Sequence, residues 1–165
     1  MPDGSRFTDA FQACVRTPFA TLGVSATGTH VTGIRFLAPS VAAHAPKRNT
    51  IAFLACVQLQ AYLEDPRFEF DLPLALSGTR HRLAVWEAMQ RIAAGKTRTY
   101  GELAADLRSS PRAVGGACGA NPIPVVVPCH RVIAAGGAIG GFMGARSEGF
   151  EIGIKRWLLE HEGAC

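Results

Sequence analysis

Thr99-Tyr-Gly-Glu-Leu-Ala-Ala-Asp-Leu107 and Ser110-Pro-Arg-Ala-Val-Gly-Gly-Ala-Cys-Gly-Ala120 read as two short helices joined by the tight turn Arg108-Ser109. Thr99 and Glu102 have the spacing of a capping box, in which hydroxyl and carboxylate each accept a backbone N–H that the helix leaves free. Ser110 is an N-cap, and Pro111 takes the first helical position, where its missing N–H costs nothing. Asn121-Pro122 stops the second helix. The pattern is that of a helix-turn-helix. The second helix carries Gly115, Gly116 and Gly119, each worth about 1 kcal/mol less than alanine in a helix. Val114, Ala117 and Cys118 form its inward stripe. Arg112, Gly116 and Gly119 face outward, flanked by Ala113 and Ala120. A face this smooth has no side chains to read base edges in a major groove. It suits a shallow groove entered by one arginine, or close packing against another helix inside the protein.

Downstream runs Ile123-Pro-Val-Val-Val-Pro-Cys-His-Arg-Val132. A thiol is a weak nucleophile until it becomes a thiolate, and a nearby imidazole or cation favours that form. His130 and Arg131 follow Cys129 directly. Consecutive side chains on a strand point to opposite faces. Cys129 and His130 therefore serve one pocket only if the chain turns after Pro128 or a water bridges them. The plain alternative is a buried structural cysteine beside a surface histidine. The glycines from Gly136 to Gly144 lack the spacing of a phosphate loop. Residues 154–162 read as a last helix with Ile154, Trp157, Leu158 and His161 inward. Glu162 ends it, where a carboxylate opposes the helix dipole. It is either solvated or held by a partner such as an imidazole.

Upstream, residues 18–37 read as a β-hairpin turning at Gly28-Thr29. Residues 50–64 read as a helix with Ile51, Leu54, Ala55, Gln58, Ala61 and Tyr62 on one stripe, barred by Pro66. Phe68, Phe70 and Leu72 alternate with charged residues, as in a half-buried strand. Residues 80–93 read as a helix capped by Thr79, with Leu83, Trp86, Met89, Ile92 and Ala93 inward. Two domains are expected, 1–76 and 77–165, the first without chemistry of its own.

Of 165 residues, 48% are hydrophobic and 18% charged, as in a soluble globular protein. Five cysteines, an odd number without close pairs, argue against a disulfide framework and for a reducing cytoplasm. No metal-ligand spacing occurs, and Cys14, Cys56, His30 and His44 read as structural. Residues 1–6 are polar and lead into no apolar stretch, so neither a signal peptide nor a membrane span is expected. Residues 1–78 carry six Lys/Arg and six Asp/Glu; residues 79–165 carry eleven and seven, a net +4. A basic half that also holds the Cys-His stretch is the electrostatic footprint of a nucleic-acid binder.

Pro128-Cys-His-Arg-Val132, with Thr99-Tyr-Gly101, Arg112-Ala-Val-Gly-Gly-Ala117, Asn121-Pro122 and Lys155-Arg-Trp-Leu-Leu-Glu-His-Glu162, resembles the methylated-DNA–protein-cysteine methyltransferases (O6-alkylguanine-DNA alkyltransferases). The resemblance covers nearly the whole chain and implies an α+β protein. A small N-terminal RNase H-like domain would precede a mostly helical domain with the helix-turn-helix and an active-site loop. It implies a suicide repair protein without metal or cofactor. Such a protein binds duplex DNA in the minor groove, flips out the O6-alkylguanine and moves the alkyl group to Cys129; O4-alkylthymine is a second substrate. His130 matches the base acting through a water, Glu162 the carboxylate that orients it, and Asn121 the brace of the active-site turn. Tyr100 matches the tyrosine that helps rotate the nucleotide and protonate the leaving guanine. DNA contact is implied for Thr99, Tyr100, Arg112, Ala113, Gly115 and Gly116, with Arg112 filling the place of the flipped base. The guanine pocket is implied at Pro124, Val132, Phe142, Met143 and Gly144. Phe142 stands where the family usually has tyrosine, and residues 145–154 are expanded. The resemblance also implies a cytoplasmic monomer with no membrane or obligate protein partner, cooperative assembly on DNA being left open. The alternatives are a lesion-binding module without transfer, a helix-turn-helix regulator and a Cys-His hydrolase.

Overall fold

Alternation of Leu22, Val24 and Ala26 with small and polar residues produces a strand, β2 (Thr21–Ala26), in a computed structural model that describes residues 10–164. The polar start at residues 1–6 lies outside them. The chain divides into two compact units, Met1–Leu76 and Ser77–Cys165. Together they form a mixed α/β architecture of two small sheets and, among the described residues, five α-helices.

In the first unit β1 (Ala13–Arg16), β2 and β3 (Val31–Leu37) form an antiparallel meander. Val24 lies opposite both Ala13 and Ile34, and Leu22 opposite Val15 and Phe36. The expected hairpin is β2–β3; β1 is an addition, too short to carry a periodic signal. Helix α1 (Ile51–Glu64) starts where Thr50 Oγ1 accepts the Phe53 N–H at 3.1 Å. It covers the sheet with Ala52, Ala55, Cys56, Leu59 and Tyr62. Leu54, expected inward, is exposed, and Leu59 takes the buried place. The strand expected over Phe68, Phe70 and Leu72 does not form, because no ladder partner lies beside it. A side chain takes the backbone groups instead. The buried Gln58 amide donates to the Asp71 carbonyl and accepts its N–H, both at 2.8 Å.

The second unit begins with α2 (Arg80–Gln90), where Thr79 Oγ1 accepts the Arg82 N–H. It is shorter than expected. Leu83 and Ala93 are exposed, while Val85, Trp86, Met89 and Ile92 are buried. A two-residue strand β4 (Arg98–Thr99) leads into α3 (Tyr100–Leu107) through the expected capping box. Arg108 then takes a left-handed conformation (φ 52°), and Ser110 caps α4 (Pro111–Gly119). The Trp86 indole N–H donates to the Ala117 carbonyl at 2.9 Å, which locks α2 to α4. His81 Nε2 meets Ser109 Oγ at 2.7 Å and ties α2 to the turn. Strand β5 (Val132–Ile133) pairs in parallel with β4. This unforeseen pair sets the start of α3, with Tyr100, beside the end of the Cys-His segment. The last helix, α5, is Phe150–His161. It buries Ile152, Ile154, Lys155, Leu158 and Leu159. Trp157 and His161, expected inward, are half-exposed and stack on each other, centroids 4.7 Å apart.

Candidate active site

The Val-Val-Val run is buried, but it is a folded loop and not a strand. Asn121 organises it: the side-chain amide donates to the Val127 carbonyl at 2.7 Å and its Oδ1 accepts the Ile123 N–H at 3.0 Å. Between them Val125 is held at φ 75°, a costly region for a β-branched residue. After Pro128 the chain winds into a 3₁₀ turn, Cys129–Arg131. Successive side chains of such a turn diverge by about 120°, so Cys129 and His130 part company. The chain does turn after Pro128, but the turn alone does not join thiol and imidazole.

The Cys129 thiol lies at a cavity of about 710 Å³, 3.9 Å from the Met143 sulfur. One wall is α4, with Arg112, Gly115, Gly116 and Gly119; the other is the loop from Gly141 to Arg146, with Phe142, Met143 and Gly144; Tyr100 also lines it. Added Cβ atoms at Gly115 and Gly116 would meet nothing within 4 Å. Internal helix packing is therefore not what those two glycines serve, and the face is open there, whereas Gly119 lies close to the Gly144 backbone. Gly140 serves Tyr100, because a Cβ there would stand 3.1 Å from its ring. Val132 and Pro124, expected in the pocket, are buried and do not line this cavity. Val132 lends its carbonyl to Lys155, and Pro124 bridges to Val127. Thr99 is the α3 cap, and Ala113 is exposed on α4.

His130 is fully buried, and its Nε2 lies 2.8 Å from Glu162 Oε1. The Glu162 side chain is 0% exposed, so the solvated alternative is excluded. Arg131 grips the same carboxylate, Nη2 to Oε1 at 2.8 Å and Nε to Oε2 at 3.0 Å, and donates to the Ile92 carbonyl at 2.6 Å. The cation that follows Cys129 in sequence is thus spent on Glu162. The cation that acts on the thiol is Lys155, fully buried, donating to Val132 O at 2.6 Å and Gly141 O at 2.9 Å. Its Nζ lies 3.4 Å from the Tyr100 hydroxyl, which itself donates to Gly141 O at 3.2 Å. Sequence reasoning missed Lys155 as a site residue, because a helical lysine is normally solvated. Its spacing of three and four from Ile152, Leu158 and Leu159 was the available signal.

Residues 80–164 match the family model of the 6-O-methylguanine DNA methyltransferase DNA-binding domain. A methylated-DNA–protein-cysteine methyltransferase of Mycobacterium tuberculosis is 39% identical over 156 residues, 90% of this chain and 89% of the relative. The chain belongs to the methylated-DNA–protein-cysteine methyltransferase family. A DNA base-flipping protein of Thermus thermophilus is 40% identical over 135 residues, 80% of this chain and 88% of the relative. The crystal structure of Mycobacterium tuberculosis OGT in complex with DNA superposes with a TM-score of 0.76 at 38% identity, covering 92% of this chain and 91% of that one.

The electrostatics of this candidate site differ from group to group. Burial pushes the Cys129 thiol up to about 11, and the opposing pulls of the Asn121 side chain and Lys155 are smaller. At neutral pH the resting group is a thiol, so it needs a base. Burial pushes His130 below the usual imidazole value, against the pull of Glu162, and leaves the ring neutral. Burial would raise the Glu162 carboxyl, but hydrogen bonds from His130 and Arg131 outweigh it and hold the group ionised. A neutral ring that donates Nε2–H to a carboxylate keeps its lone pair on Nδ1. That Nδ1 is buried and has no hydrogen-bond partner among the described residues. Burial lowers Lys155 to about 8, against the pull of Cys129 and Cys118, so it remains a cation at neutral pH.

Proposed function

We propose that the protein repairs DNA by moving the alkyl group of an O6-alkylguanine in duplex DNA onto its own Cys129, once per molecule. O4-alkylthymine offers the same bond in a pyrimidine and is a second substrate. In this reading α3, the Arg108-Ser109 turn and α4 are a helix-turn-helix that enters the minor groove. Its glycine face permits close approach, with contacts from Thr99 to Gly116, and Arg112 fills the gap left by the extruded base. Extrusion is required because O6 inside a duplex cannot reach a buried sulfur. Residues 77–165 are then the DNA-binding and alkyltransferase domain, and residues 1–76 an RNase H-like structural domain. The protein acts as a monomer.

The Cys129 sulfur attacks the alkyl carbon in line with the bond to O6. The S–C bond forms as the C–O6 bond breaks, and the electron pair stays on the guanine. The thiol proton passes through a water to His130 Nδ1, and the departing guanine takes a proton from the Tyr100 hydroxyl. Lys155 steadies the charge left on Tyr100, and solvent restores its proton. Alignment and paired proton transfers are what a displacement at saturated carbon needs. A thioether is a poor leaving group, so each molecule is spent.

One observation carries this reading: Glu162 fixes the His130 tautomer so that an unpartnered basic nitrogen is buried on the residue that directly follows a thiol in need of a base. The test is a mass measurement after incubation with a duplex containing O6-methylguanine. The expected result is one added methyl group per chain, mapped to the Cys129 peptide. Tight binding to the modified duplex without any adduct would falsify transfer and favour a lesion-binding module.

A further inference from the structure

Two arginines line the cavity at Cys129, Arg112, which has a part in the proposed reaction, and one that has none. The second is Arg146. The two come from different walls, Arg112 from α4 and Arg146 from the loop that faces it. The walls close on each other at Gly119, where an added Cβ would stand 3.4 Å from the Gly144 backbone nitrogen. Among the described residues no acidic residue lines the cavity beside the two arginines.

The loop holds Arg146 in place. Phe142 and Ala145 exchange both backbone hydrogen bonds, each at 2.9 Å. Met143 (φ 51°) and Gly144 (φ 86°) make a tight left-handed turn between them. Arg146 follows this turn directly and is exposed. The nearest acid in sequence is already engaged. Arg156 holds both oxygens of Glu148, at 2.6 and 3.3 Å, and hydrogen bonding from Arg156 keeps that carboxyl below its usual range. Among the described residues Arg146 has no hydrogen-bond or ion-pair partner. An unpaired arginine at a nucleotide-sized cavity matches a phosphate, which its planar fork can hold through two parallel bonds.

We propose that Arg146 is a second DNA-binding arginine of this site, which grips a backbone phosphate next to the extruded nucleotide while Arg112 occupies the base stack. The inference rests on the alkyl-transfer reading. On it, the loop over the cavity positions the extruded nucleotide by its phosphate, in addition to walling the base.

The experiment compares wild type, Arg146→Ala and Arg146→Lys on an O6-methylguanine duplex and on free O6-benzylguanine, which has no phosphate. Second-order transfer rates are taken over a range of salt. Arg146→Ala is expected to lose about tenfold more on the duplex than on the free base, consistent with loss of a charge-assisted contact. Its plot of log duplex affinity against log salt should be shallower than wild type by about 0.9, the release from one phosphate. Arg146→Lys should keep the wild-type salt slope. Equal losses on the two substrates, or an unchanged slope for Arg146→Ala, overturn the inference and leave Arg146 as part of the pocket wall. A wild-type protein that accepts no alkyl group from either substrate sinks the parent reading, and this one with it.

Discussion

Cys129 and Lys155 pair a buried thiol with a buried cation, whose pull opposes the larger upward push of burial on the thiol. Without Lys155 the thiol would have only the Asn121 side chain and its own backbone N–H to oppose desolvation. Lys155→Met is therefore expected to slow alkyl transfer about tenfold or more, since a buried charge contact commonly exceeds one factor of ten. The pH profile gives the specific readout. Lys155 has its folded pKa lowered to about 8, so its charge is present below that pH and lost above it. Wild-type and variant rates should converge as pH rises past this value; a constant ratio would mean that Lys155 acts by shape alone. Its burial was hidden in the sequence, because a lysine between Ile154 and Arg156 looks like any surface lysine. The thiol and the imidazole of the proposed reaction were legible, since Cys129 and His130 are adjacent in the chain.

At the scale of elements, α4 trades stability for access. Gly116 is exposed, and an added Cβ there meets open space. Gly116→Ala should therefore stabilise the protein by about 0.5–1 kcal/mol, measured by chemical denaturation. The same methyl group would stand on the face proposed to meet the groove, so duplex affinity should fall. Gains in both stability and affinity would show that this face does not approach DNA. The starts of α2, α3 and α4 were readable because their signals are local: Thr79, Thr99 and Ser110 each cap the helix that follows. The parallel β4–β5 pair was not, because Arg98 and Val132 meet from distant parts of the chain with two-residue strands. Phe68 to Leu72 show the reverse case. A strand pattern alone makes no strand when a side-chain amide such as Gln58 claims the backbone first.

For the molecule as a whole, Glu162 is the node of the second unit. Its carboxylate joins the end of α5 to the Cys129–Arg131 turn, and it accepts the Gly95 N–H at 3.4 Å. Removing one member of a buried ion pair costs about 3–5 kcal/mol, so Glu162→Gln should lower unfolding stability on that scale at neutral pH. The carboxyl titrates lower in the folded protein than its ordinary 4.5. Its contribution is present above pH 4.5 and is lost as pH falls toward the folded value, because the unfolded chain takes up the proton first. The stability gap between wild type and Glu162→Gln should shrink on acidification from pH 4.5, as urea titrations would read; a gap that widens would reverse the assigned ionisation. Sequence by itself determined the pattern of helices, the smooth face of α4 and the Cys-His pair, because capping, glycine content and adjacency are properties of short segments. Only the tertiary structure decided that the cation pulling on the thiol is Lys155, that Glu162 is buried between His130 and Arg131, and that Arg146 joins Arg112 at the cavity. Burial and pairing are set by residues that meet across the fold, and desolvation turns an ordinary Lys, Glu or His into a site residue only once that meeting has occurred.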